Sequence, residues 1–115
     1  MKVFLSMPMH GKTDEEILRD REFNIQMIKL QLPVYADAEF IDNFNKPEEI
    51  IGNRIKMLGD SIMKMADADV VIFLPGWKDS NGCLVEFEVC QRYGLKTVFI
   101  QEAMHNIMKT QSESE

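Results

Sequence analysis

Five consecutive apolar residues, Val70-Val71-Ile72-Phe73-Leu74, constrain this chain more than any other feature. A strand with one wet face alternates apolar and polar side chains. A run apolar on both faces therefore belongs to a central parallel strand covered by helices on each side. Lys2 to Ser6 is also short and apolar, and suits a second buried parallel strand. The 115 residues suffice for one domain and leave no room for a second core.

The intervening segments supply the crossovers. Met7 to Lys12 reads as a loop, punctuated by Pro8 and Gly11. Thr13-Asp14-Glu15-Glu16 is a capping box that opens a helix running to about Leu32, where Pro33 closes it. Its apolar side includes Ile17, Leu18, Ile25, Ile28 and Leu32. Val34 to Ile41 is a weaker strand, interrupted by Ala36-Asp37-Ala38-Glu39. The polar loop Asp42 to Lys46 leads to Pro47, which is placed for the first turn of a second helix. Ile51, Ile55, Leu58, Ile62 and Met65 form the clearest amphipathic stripe and are expected to pack into the core.

After the central strand, Pro75 to Gly82 is a turn-rich loop, and a third helix follows to about Tyr93, with Gly94 as its terminator. Cys83 and Cys90 share a face of that helix and read as buried free thiols. Thr97 to Ile100 forms the last strand, Ala103 to Lys109 a short helix, and 111–115 a disordered acidic tail. This order implies right-handed parallel crossovers. The expected fold is a single-domain, Rossmann-like α/β three-layer sandwich over residues 1–110, with a four- or five-stranded, mainly parallel sheet.

Charge and hydropathy narrow the partners. The net charge is −6 and Lys and Arg are scattered, which argues against binding a nucleic-acid backbone. No apolar stretch approaches the ~20 residues that span a bilayer, and Pro8, His10 and Lys12 cut short any signal-like start. A cytoplasmic protein without membrane contact is expected. No metal and no cofactor are expected, since His10 and His105 lie far from the cysteines and from each other.

In parallel sheets of this kind, ligands sit beyond the carboxyl ends of the strands, where the strand order changes direction. Two loops have that address, Ser6 to Lys12 and Pro75 to Gly82. Ser6, His10, Lys12, Ser80 and Asn81 offer donors for an anion, or are ordinary loop residues. Glu86, four residues beyond Gly82, lies near the start of the third helix, where the helix dipole favours a carboxylate. Such a group is either a dipole-complementing surface acid or a nucleophile facing a cleft. Glu88 points to the other side and is the better surface candidate. Trp77, the sole tryptophan, either stacks on a nucleobase or caps the core, with capping favoured.

Two segments resemble a known family. Lys2-Val3-Phe4-Leu5-Ser6-Met7-Pro8-Met9-His10-Gly11 looks like the opening of nucleoside 2-deoxyribosyltransferase-like domains. Ala68-Asp69-Val70-Val71, continuing through Leu74-Pro75-Gly76-Trp77 to Ser80-Asn81-Gly82-Cys83 and Glu86, resembles that superfamily's second signature. The likeness covers residues 1–101, is strongest to a small bacterial and phage branch, and extends to deoxynucleoside 5′-monophosphate N-glycosidases. It implies a flavodoxin-like fold and chemistry at an N-glycosidic bond. By the resemblance, Glu86 attacks C1′ of a deoxyribose, releases the base, and passes the sugar to another base or to water.

The family's helper acid, counted back from Asp69, would fall on Ser61, and the neighbouring acid Asp60 is the other candidate for that role. Ser80 stands where deoxyribosyltransferases carry Asp and the monophosphate hydrolases carry Ser, which implies room for a 5′-phosphate, although Asp79 is adjacent. The substrate-binding set implied is Ser6, Met7, Met9, His10, Gly11, Lys12, Trp77, Asp79, Ser80, Asn81 and Gly82. The small-molecule partner is then a nucleoside or nucleotide. The alternatives are a non-catalytic nucleotide-binding or sensing domain that retains the pocket, and an interaction domain without one. A homo-oligomer is expected, because in related enzymes a neighbouring subunit finishes the pocket. Nine methionines supply adaptable surface, with Met57 and Met63 outside the second helix's stripe.

Overall fold

In the computed structural model, which describes residues 1–100, the chain alternates strand and helix as β1 (Lys2–Ser6), α1 (Asp14–Gln31), β2 (Glu39–Phe40), α2 (Arg54–Met65), β3 (Val70–Phe73), α3 (Asn81–Tyr93) and β4 (Thr97–Phe99). The expected helix over 103–109, the acidic tail and His105 lie outside the described residues. The four strands form one all-parallel sheet in the order β2-β1-β3-β4. This is the α/β architecture of a single-domain Rossmann- or flavodoxin-like sandwich.

Register explains the apolar run. Val3 to Ser6 pair with Val70 to Phe73, and both segments are buried along that length. Val3, Leu5, Val70 and Ile72 point to a core closed by Ile17, Ile25 and Ile28 of α1. Phe4, Val71 and Phe73 point the other way, onto Met65 at the end of α2 and Cys90 of α3. Alternate residues thus serve two separate cores, which is why neither strand has a polar face.

Local signals set the helix ends. The Thr13 side chain accepts from the Glu16 amide at 3.2 Å while the Glu16 carboxylate reaches back to the Thr13 amide, completing the capping box. Ser80 caps α3, accepting from the Cys83 amide at 3.4 Å. Gly94 ends that helix at φ 71°, a conformation costly for any residue with a Cβ. Cys83 and Cys90 are both free and buried.

Three expectations need correction. The strand expected over 34–41 shrinks to Glu39–Phe40, because Pro33 opens a 3-10 turn through Tyr35 that buries the tyrosine and leaves Val34 68% exposed. α2 begins at Arg54, not near Pro47, because the Asn53 side chain caps it and a 3-10 turn occupies Glu48–Ile50. The stripe expected to be core is largely not. Met65 is buried, but Ile51 and Ile55 are 63% and 83% exposed. Leu18 of α1 is also exposed. Among the described residues no helix is long and apolar enough to cross a membrane.

Candidate active site

β1 leads through α1 to β2 on one side of it, whereas β3 leads through α3 to β4 on the other. The two chain paths therefore diverge between the adjacent β1 and β3, and a crevice opens at their carboxyl ends. The loops that leave these strands touch each other: a Cβ on Gly76 (φ 89°) would stand 3.5 Å from Pro8 Cγ. Beside them lies a cleft of about 810 Å³, within the range of small-molecule sites.

Glu86 lines this cleft, and a buried polar contact lies directly behind it. Ser6, the last residue of β1 and fully buried, donates its hydroxyl to Glu86 Oε1 at 2.9 Å. Glu86 is 6% exposed and lies in the second turn of α3, since the helix begins at Asn81. That position corrects the expected dipole stabilisation, which falls off within the first turn. Burial instead raises the Glu86 carboxyl to about 7, partly offset by the Ser6 hydroxyl and the positive charge of Lys46. Near neutral pH the group is poised between acid and carboxylate. Beside it, burial pushes the Cys83 thiol upward, so that sulfur is a thiol and not a nucleophilic thiolate.

Met7, Met9 and His10 line the cleft from the β1 loop, and Ser80, Asn81 and Gly82 from the start of α3. Six candidates lie outside the lining, the first being Ser6, buried behind Glu86. Gly11 turns the loop at φ 79° outside the lining, and Lys12 pairs with Asp20 at 2.7 Å. Asp79 sits in an exposed 3-10 turn. Trp77 lies outside the lining in an aromatic cluster, its ring centroid 5.0–5.3 Å from those of Phe73, Phe87 and Phe99. It closes the second core. Asp60 stands behind the cleft wall, paired with Lys46 at 3.3 Å and Lys64 at 3.0 Å. Burial works to raise its carboxyl, but the two ammonium groups prevail and hold it below the usual carboxylate range.

The third wall, residues 43–46 after β2, escaped the sequence reading. Six interactions fix it. Asp42 accepts from the Phe44 and Asn45 amides at 3.0 and 3.2 Å. The buried Asn43 donates to the Leu5 carbonyl at 3.2 Å, and Lys64 donates to the Asn45 carbonyl at 2.7 Å. Lys46 donates to Ser61 Oγ and pairs with Asp60. Its side chain is 7% exposed yet borders the cleft, and burial lowers its ammonium from the ordinary lysine range more than Asp60 raises it. Ile51, Ile55 and Leu58 complete this side as an apolar rim, and Ser61 also faces the cleft. The signal available was the address rule, since this loop too follows the carboxyl end of a strand.

Residues 1–99, the whole sheet and every wall of the cleft, match the family model described as Domain of unknown function (DUF4406). The chain belongs to this family. No curated protein and no solved structure matches it. In this DUF4406 chain the chemistry must therefore be argued from the cleft. A buried carboxyl with a raised proton affinity, a hydroxyl holding one of its oxygens, and an ammonium across the same space form a set suited to nucleophilic or acid-base work.

Proposed function

We propose that this protein breaks the N-glycosidic bond of a deoxynucleoside or its 5′-monophosphate, either hydrolysing it or transferring the deoxyribosyl group, with Glu86 as nucleophile. The observation that carries the reading is the hydrogen bond from the buried Ser6 to Glu86, whose carboxyl lines the cleft. It holds one carboxyl oxygen and leaves the other without a hydrogen bond among the described residues, which suits attack on C1′. In a second step the deoxyribosyl group passes from this ester to water or to an acceptor base, and Glu86 leaves as carboxylate. Ser80, Asn81 and Gly82, at the start of α3, suit a 5′-phosphate or the sugar hydroxyl. The resemblance of residues 2–11 and 68–86 to deoxyribosyltransferase-like domains agrees with this assignment.

A second reading, a domain that binds nucleotides without cleaving them, draws on one observation. Asp60, the acid nearest the helper position, is occupied by two lysines behind the wall. Incubation with the four deoxynucleosides and their monophosphates, with and without acceptor base, separates the readings. Free base is expected from the wild type and none from Glu86→Gln. Binding without release, or unchanged release by Glu86→Gln, would overturn the enzymatic one.

A further inference from the structure

We propose that Lys46, acting through the hydroxyl of Ser61, delivers the proton that the leaving base needs. The inference rests on the glycosyl-transfer reading of the cleft and assigns the half of the chemistry that Glu86 cannot perform. A nucleobase leaves poorly as an anion, and a positioned acid typically contributes about 10²–10⁴-fold.

Ser61 borders the cleft, and Lys46 Nζ donates to its Oγ. A hydroxyl that accepts at oxygen keeps its own hydrogen to give. Among the described residues the Ser61 O–H has no acceptor, so a base seated in the cleft can take it. Ser61 would touch the substrate, while Lys46 recharges it from behind.

Charge balance singles out Lys46. Asp60 is shared between Lys46 and Lys64. If Lys46 gives up a proton, Lys64 still neutralises Asp60, so no buried charge is stranded. Lys64 is held on the Asn45 carbonyl and does not border the cleft. Of the other charged or titratable groups on the cleft, the buried Cys83 sits beside Glu86 on α3, and His10, Asp14 and Arg54 are exposed at its edges. Burial has already loosened the Lys46 proton.

The step balances. A Glu86 oxygen bonds to C1′ as the C1′–N bond breaks and its electron pair goes to the base nitrogen. That nitrogen takes the Ser61 hydrogen, and Ser61 takes one from the Lys46 ammonium. Glu86 loses its negative charge to the ester as Lys46 loses its positive one, so the net charge of the site is unchanged. In the second half, water attacks C1′, the ester releases Glu86 as carboxylate, and the water's proton returns through Ser61 to the Lys46 amine.

The test compares leaving groups. Deoxynucleosides require a proton on the departing base, whereas 4-nitrophenyl 2-deoxyriboside expels a phenolate that needs none. Lys46→Met and Ser61→Ala should each lose about a hundredfold or more in kcat on deoxynucleosides but stay within about threefold of wild type on the aryl glycoside. Lys46→Arg keeps the charge beside Asp60 but holds its proton too tightly to release it, and should behave as Lys46→Met. Equal losses on both substrates, or full activity of Lys46→Arg on deoxynucleosides, would show a merely structural lysine and overturn the relay while leaving Glu86 in place. Glu86→Gln should fail on both substrates. Wild-type protein that releases neither leaving group would overturn the glycosyl reading, and the relay with it.

Discussion

Glu86 should cost the protein stability, and removing its charge should return that stability in a pH-dependent way. The folded state raises this carboxyl from 4.5 to about 7, chiefly by burial. Between those values the native protein binds the Glu86 proton more tightly than the unfolded chain does. Stability therefore falls as pH rises through this window and levels off above about 7. A shift of that size corresponds to roughly 3 kcal/mol once the group is fully ionised. Replacing Glu86 with Gln keeps an acceptor for the Ser6 hydroxyl and removes the charge. Below about pH 4 the two proteins should unfold at nearly the same urea concentration, because Glu86 is then neutral in both the folded and the unfolded chain. At about pH 8 the variant should be more stable by roughly 2–3 kcal/mol, a large share of what a domain of this size has to spare. Urea unfolding at a series of pH values measures the difference directly. A variant no more stable than wild type at the higher pH, or an advantage that does not grow with pH, would refute the claim that the carboxyl is desolvated.

The same proton should govern activity: kcat/KM should rise through an apparent pKa near 7 as Glu86 ionises, read from base release at a series of pH values. Ser80 caps α3 at the edge of the cleft, so a deoxynucleoside monophosphate should bind at least about tenfold more tightly than its nucleoside, and Ser80→Asp, which also caps but repels phosphate, should reverse that order in calorimetry. The exposed rim of Ile51 and Ile55 should join a second copy of the chain; sedimentation should find a dimer at micromolar concentration and a monomer after Ile55→Asp, and a monomeric wild type would count against it. Thr13→Ala should remove one side of the capping box and lower stability by about 1 kcal/mol in the same urea assay.

How much of this was legible in the sequence depended on whether a signal was local or shared between distant elements. β1 and β3 were readable because a strand buried on both faces leaves no polar position, and the observed register satisfies every one of those residues. The ends of α1 and α3 were readable because capping is written within a few residues. β2 was overestimated because its residues form a two-residue edge strand, while Tyr35, the anchor that keeps the preceding turn in place, gives no period to follow.

The α2 stripe carries the sharper lesson. Periodicity reports which side chains share a helix face, but not what covers that face, and here the face borders a cleft where a core was expected. The site divides in the same way. The address rule pointed to the loops after β1 and β3, and of the residues it drew attention to, His10 and Ser80 line the cleft with Glu86 of the following helix, while Ser6 is buried behind that carboxyl. Lys46 could not be found so, because its place depends on Asp60 and Ser61, 14 and 15 positions away on α2. A lysine alone in a polar loop reads as solvated. Once a carboxylate on another element anchors it and a neighbouring lysine shares that carboxylate, the same residue becomes a buried cation facing a buried acid across one cleft. That juxtaposition does not follow from either segment's own pattern, and it is where the chemistry proposed here would have to originate.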